Sequence, residues 1–183
     1  MALTRGEWVM IIGGCLAGLL LIGSGGYMWY EDEKATPYLP TVQAAAKQYG
    51  LDPNMLAMQI QTESDWDPTA QSGAGAMGIA QFEPATAAQY GLTVTANPGS
   101  NPPTPGSVWD PTASIYAMAA MMADLVSQFG DYATALAAYN WGAGNVTNAI
   151  NTYGADFFAN APTETQNYIT DIMGSSAPAS LTT

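Results

Sequence analysis

From residue 8 to residue 30 the chain reads WVMIIGGCLAGLLLIGSGGYMWY, without one charged side chain. At helical rise such a run spans roughly 34 Å, enough to cross the hydrocarbon core of a bilayer. Trp8 stands at one end and Tyr27, Trp29 and Tyr30 at the other, as interfacial aromatics do. The pattern predicts one transmembrane helix over 8–30. Arg5 precedes it and Lys34 follows, so the orientation, amino terminus in the cytoplasm and bulk outside, rests on the amino-terminal charge. No small-x-small cleavage site follows the run, which argues against a cleaved signal peptide. Ile12 to Cys15 has the look of a lipid-acceptor sequence, but the apolar stretch before it is too short. Residues 31–40, with Pro37 and Pro40, read as a polar linker.

Beyond the linker the apolar positions recur at helical spacing, punctuated by caps. Thr41 to Tyr49 forms a helix that Gly50 ends. Asp52-Pro53 is an N-cap followed by a first-turn proline, and Met55, Leu56 and Ile60 carry a stripe to Glu63 and Ser64. Asp65, Trp66, Asp67 and Pro68 stop that helix. A glycine-rich polar loop leads to Ile79, and 84–90 is a short helix closed by Gly91. Residues 93–108 hold four prolines and two glycines and are irregular. Asp110-Pro111 repeats the cap signal before a helix with Ile115, Met118, Met122 and Leu125 on one face. Tyr132 to Asn140 is helical, Trp141 to Gly144 a tight turn, and Asn145 to about Thr152 helical again. A last helix starts at Pro162-Thr163 and carries Tyr168, Ile169 and Ile172, with a loose tail over 174–183. Strand signal is slight. The expected architecture is a mostly α domain over 41–173, preceded by one transmembrane helix.

Composition narrows the chemistry. Fifteen acids face three basic residues, a formal net charge of −12. Without a cationic footprint, nucleic acid is excluded as a charge-driven partner. The chain has no histidine, which rules out Ser-His-Asp and Cys-His triads and the HExxH metal site. Its single cysteine, Cys15, has no internal disulfide partner. Catalysis must come from carboxylates, hydroxyls and amides. Glu63 is the natural centre: a carboxyl at a helix end, roofed by a flexible loop with no basic residue nearby, suits a general acid.

Four segments now stand in order: Glu63-Ser64; Ser72 to Gln81, SGAGAMGIAQ; Ala138-Tyr139-Asn140; and Glu164 to Ile169, ETQNYI. Together they resemble lytic transglycosylases of the soluble-transglycosylase (SLT) type, whose fold is similar to goose-type lysozyme. The resemblance covers about residues 41–173. It implies a lysozyme-like domain that cuts the β-1,4 bond between N-acetylmuramic acid and N-acetylglucosamine of peptidoglycan, leaving a 1,6-anhydro end. Glu63 matches the family's catalytic acid, which then serves as base. Tyr139 matches the tyrosine whose hydroxyl faces that carboxyl. Ser72 and Gln81 match polar groups lining the sugar cleft, Asn140 is the motif neighbour of Tyr139, and Glu164 matches the acid of the last helix. No metal and no cofactor are implied.

The chain departs from the family at two motifs, and its proline-rich 93–108 segment looks like an insertion. Where the family commonly has Gly-Leu-Met-Gln, an apolar residue and methionine, this chain has Gly78-Ile79-Ala80-Gln81-Phe82-Glu83; Gln166 stands where arginine is frequent. Glu83 brings a second acid toward the cleft and keeps a water-using muramidase, with Glu83 or Asp65 as base, as one alternative. A glycan-binding protein without turnover is another. Asp65 and Asp67 read as turn formers, and Trp66 and Trp141 as sugar platforms or core. Expected partners are peptidoglycan glycan strands and a lipid bilayer through residues 8–30. The expected location is the periplasmic side of a bacterial membrane or the membrane of a membrane-containing phage virion.

Overall fold

Local caps set the helix boundaries. Helix α1 runs Leu39–Tyr49 and ends at Gly50; the Asp52 carboxylate then accepts from the Asn54 N–H at 2.8 Å, and Pro53 opens α2 (Pro53–Ser64). The same device recurs at Asp110, which accepts from Thr112 and Ala113 at 3.0 and 3.3 Å. Between these, α3 is the short Pro84–Gln89. The helix that Asp110 caps, α4, runs Pro111–Phe129 and closes on Gly130. Asp131 then caps α5 (Tyr132–Trp141) through Thr134 N–H and Oγ1, at 2.8 and 2.7 Å. Helices α6 (Ala143–Tyr153) and α7 (Thr163–Met173) complete the set, joined by a 3-10 segment over Gly154–Asn160. The mostly helical expectation holds. The turn expected over Trp141 to Gly144 is shorter than read, since Gly142 alone, at φ 93° and ψ 134°, separates α5 from α6.

The computed structural model describes residues 18–22, 26–30, 33–96 and 103–178. Helix α5 is its hub. Ala133 to Ala138 are all buried, so this helix has no polar face, and α4, α6 and α7 pack against it. Four alanines among those six positions let the neighbours approach closely. Helix α2 lies against α7 and α1, and α1 against α4. The core of the unit includes Leu56, Ile60, Ile79, Ile115, Met118, Met122, Leu136 and Ile169, which places the methionines of α4 in packing.

Two boundaries differ from the sequence reading. The packed unit begins in the linker, where Ala35 is fully buried and Leu39 nearly so. It continues past 173, because Gly174–Ser176 forms a 3-10 turn and Ala177 is buried. Among the described residues of the 8–30 span no helix is found. Gly18–Ile22 (β1) and Gly26–Tyr30 (β2) pair as an antiparallel hairpin, with Gly18 opposite Tyr30 and Ile22 opposite Gly26. Residues 8–17 and 23–25 of that span, Cys15, and residues 179–183 of the tail lie outside the described residues. Among the described residues no helix is long and apolar enough to cross a membrane.

Candidate active site

Glu63 occupies the last turn of α2, half-buried, and the loop after it is built to hold that turn in place. Ser64 Oγ donates to the Ile79 carbonyl at 2.8 Å and so ties the helix end to the far side of the loop. Asp65 and Trp66 both take left-handed backbone, at φ 52° and 63°. For non-glycine residues each such conformation costs about 1 kcal/mol or more and persists only where the surroundings enforce it. Here they do. Gln61 Nε2 donates to Asp65 Oδ1 at 2.5 Å, Trp66 Nε1 donates to Gln61 Oε1 at 2.6 Å, and the Asp65 N–H bonds the Gln61 carbonyl. Lys34 pairs with the other Asp65 oxygen, and the Tyr38 ring stacks parallel to Trp66 with centroids 6.2 Å apart. Lys34, then Gln61, hold the Asp65 carboxyl below the usual range. Asp65 is thus a C-cap, and Trp66 a core residue.

The loop then folds into a small bridged knot. Met77 and Phe82 exchange both backbone hydrogen bonds at 3.0 Å, and the Gly78 N–H donates to the Ala70 carbonyl. Gly78 sits at φ 74°, and a Cβ there would meet the Val108 carbonyl oxygen at 2.2 Å. Only glycine fits where these segments cross. Val108 is at the base of the proline-rich loop, which closes by Thr93 N–H to Gly106 O and Val108 N–H to Thr93 O, at 3.0 and 2.9 Å. That base therefore buttresses the loop beside Glu63.

A cleft of about 1120 Å³ opens in front of Glu63, and the five other residues matched to the family's site line it: Ser72, Gln81, Tyr139, Asn140 and Glu164. They do different things there. Ser72 Oγ accepts from the Ala76 N–H at 3.0 Å. Gln81, at φ 47°, donates through Nε2 to the carbonyls of Ala70 and Gly78, at 3.1 and 2.9 Å, so its amide nitrogen is a staple of the loop. Asn140 Oδ1 accepts from Thr165 Oγ1 at 2.7 Å and joins α5 to α7. Glu164 is exposed in the first turn of α7. Glu83 and Trp141 also line the cleft, whereas Asp65 does not.

Two tyrosines face the carboxyl, and one of them is hydrogen-bonded to it. Tyr139 donates its hydroxyl to the Ala80 carbonyl at 2.7 Å, near Glu63 but not to it. The hydroxyl on Glu63 Oε1, at 2.5 Å, is that of Tyr168. Tyr168 had read as one of three apolar positions on the last helix, and its partner lies 105 residues earlier, beyond reach of local pattern. The one available signal was its position within the Glu164 to Ile169 segment.

The electrostatics follow from burial. Loss of water raises the Glu63 carboxyl and the Tyr168 hydrogen bond opposes it, which leaves it at about 7, above its ordinary 4.5. No basic side chain lines the cleft among the described residues. Burial and the facing carboxylate push the phenols of Tyr139 and Tyr168 well above their ordinary range, so both remain donors. Such a site can release a proton at neutral pH and take one back.

Comparison with known proteins bears on the family and the fold. The chain matches the transglycosylase SLT domain family over residues 40–161. It is 39% identical over 127 residues to a transglycosylase of Enterobacteria phage PRD1, covering 66% of this chain and 40% of that protein. It is 36% identical over 143 residues to the membrane-bound lytic murein transglycosylase D of Escherichia coli, covering 74% of this chain and 30% of the relative. The chain thus spans well under half the length of these relatives. Among solved structures, the 70 kDa soluble lytic transglycosylase of Escherichia coli superposes with a TM-score of 0.63 at 23% identity, over 74% of this chain and 23% of that one, and shares the fold. The chain belongs to the transglycosylase SLT domain family.

Proposed function

We propose that this protein is a peptidoglycan lytic transglycosylase in which Glu63 is the acid and then the base. The observation that carries the reading is a half-buried carboxyl, poised at about 7, facing a glycan-sized cleft. Protonated Glu63 gives its proton to the glycosidic oxygen as the bond from muramic C1 breaks. The carboxylate left behind takes the proton of the muramic C6 hydroxyl as that oxygen closes on C1. The product is a 1,6-anhydro end, and no water enters the step. Because Tyr168 donates to Oε1, the acid's own proton belongs on Oε2. Tyr139 steadies the Ala80 carbonyl and hence the loop wall. Ser72, Gln81, Asn140 and Glu164 line the path of the glycan. Treating purified peptidoglycan with the full chain and with Glu63→Gln tests the assignment. Release of soluble fragments by the first alone supports it, and equal release by both defeats it.

A second reading, hydrolysis with water, draws on Glu83, whose carboxylate lines the same cleft. Asp65 is a poorer base for it, since Lys34 and Gln61 hold its carboxylate outside the cleft.

We further propose attachment to a lipid bilayer through residues 8–30, supported by their lack of charge and their terminal aromatics. A lone hairpin leaves open edges in hydrocarbon, so insertion requires this run to become helical. The full chain should float with lipid vesicles while residues 33–183 remain behind. Equal flotation of both, or of neither, would remove the anchor from the account. An anchor of this kind would hold the domain beside peptidoglycan at a bacterial membrane or in a membrane-containing phage virion; the relatives include a phage transglycosylase and a membrane-bound bacterial one.

A further inference from the structure

Gln59 stands one helical turn before Glu63 on α2 and is fully buried. Neither its Nε2 nor its Oε1 has a hydrogen-bond partner. A buried amide with both halves unpaired is costly, and an apolar side chain of similar size would pack there at less cost. Positions four apart share a face of a helix, and α2 packs against α7, the helix that supplies Tyr168. The Tyr168 hydroxyl already donates to Glu63 Oε1. What its oxygen retains is acceptor capacity, for which a primary amide offers the matching donor. The interaction with Gln59 has that sense, since it draws the Tyr168 phenol down against the larger upward push of burial and Glu63.

We propose that Gln59 is a positioning residue for the catalytic acid: its Nε2–H closes onto Tyr168 Oη as the cleft fills, which commits the Tyr168 proton to Glu63 Oε1 and keeps the acid's own proton on the cleft side. The proposal rests on Glu63 being that acid. Hydrogen bonds in empty sites are often long and tighten when substrate binds. An amide donor on the phenol oxygen leaves Tyr168 one way to point its proton, so a rotating hydroxyl becomes a fixed donor. The titratable groups facing Glu63 are Tyr168 from α7 and Tyr139 from α5, while Glu164 and Asp171 on α7 and Glu83 before α3 line the same cleft. None of these is altered by changing Gln59.

The test is Gln59→Leu in the full chain, with Gln59→Met as a second variant should leucine fold poorly. Two quantities are read: the titration of the Glu63 carboxyl carbon by NMR, and kcat and KM on soluble glycan strands. Loss of the amide weakens the Tyr168 donor, so the Glu63 titration should move up by about half a unit to one unit. The kcat should fall about three- to tenfold with KM unchanged. In a Tyr168→Phe background the same substitution should produce no further shift. A Glu63 titration and kcat identical to wild type, with only a higher Tm, would make Gln59 a mere packing residue and overturn the proposal. The parent reading fails separately. A Glu63→Gln protein that still cuts glycan overturns the catalytic assignment and the role of Gln59 with it, whereas an inactive Glu63→Gln beside an unshifted Gln59→Leu overturns only the latter.

Discussion

Of the carboxylates that line the cleft, the one at the end of α2 and the one at the start of α3 are treated differently by the fold. Glu63 is half-buried, receives the Tyr168 hydroxyl, and is pushed to about 7. Glu83 stands exposed at the N-cap of α3, at φ −67° and ψ 147°, and its side chain makes no cap hydrogen bond. Helix α2 ends in a strained, cross-braced turn at Asp65 and Trp66, while α3 begins with an ordinary proline start. Membership of the cleft is therefore not what makes a proton donor. Removal from water does, together with one oriented hydroxyl, and the chain spends two left-handed residues and a glycine crossing on the first site alone.

The contrast is broken most directly by removing each carboxyl in turn. Glu63→Gln should lower the rate of glycan cleavage by about 10³-fold, the scale of lost general acid–base catalysis, while Glu83→Gln should stay within about threefold. Comparable losses from both, measured as fragments released per unit time, would assign the chemistry to a pair of acids. Next in size is Gly78→Ala, which forces a Cβ against the Val108 carbonyl at a positive φ. It should destabilise the protein by about 3 kcal/mol, seen as a Tm drop of roughly 10 °C, because the crossing of two backbone segments cannot relax around it. A Tm within a degree of wild type would mean that the loop base does not press on the active-site loop.

A smaller effect sharpens the same comparison through pH. The folded-state value of Glu63 lies above its unfolded one, so its contribution to stability is fully present below about 4.5 and is lost as pH rises through about 7. Glu63→Gln should therefore be more stable than wild type at pH 8 by about 2 kcal/mol and no more stable at pH 4. Denaturant midpoints at the two pH values decide it; a gain equal at both would trace to packing and not to a buried charge.

Much of this was legible in the chain because it is encoded locally. Asp52-Pro53, Asp110-Pro111 and Gly50 mark helix ends by chemistry confined to a few residues, and Glu63 could be placed at a helix end for that reason. What escaped depends on distant contacts. The partner of Glu63 comes from α7, and Tyr168 shares its spacing with Ile169 and Ile172, which are simply core. The linker looked polar and proline-rich, yet Ala35 is buried and Tyr38 stacks on Trp66, a partner no local pattern announces. Gln81 lines the cleft, and that its amide nitrogen also secures the loop depends on the Ala70 and Gly78 carbonyls, which no local pattern announces. The charge-free run over 8–30 fits helix and hairpin alike, since its glycines and β-branched residues weaken any single period.

The central claim is that Glu63 works alone, with the substrate's own C6 hydroxyl as nucleophile. Weighing the muropeptides released from purified peptidoglycan by the full chain tests this most directly. The account predicts disaccharide fragments one water lighter than their reducing counterparts, absent from the Glu63→Gln digest. Reducing ends in their place would contradict it, make the enzyme a hydrolase, and move the second catalytic group to Glu83.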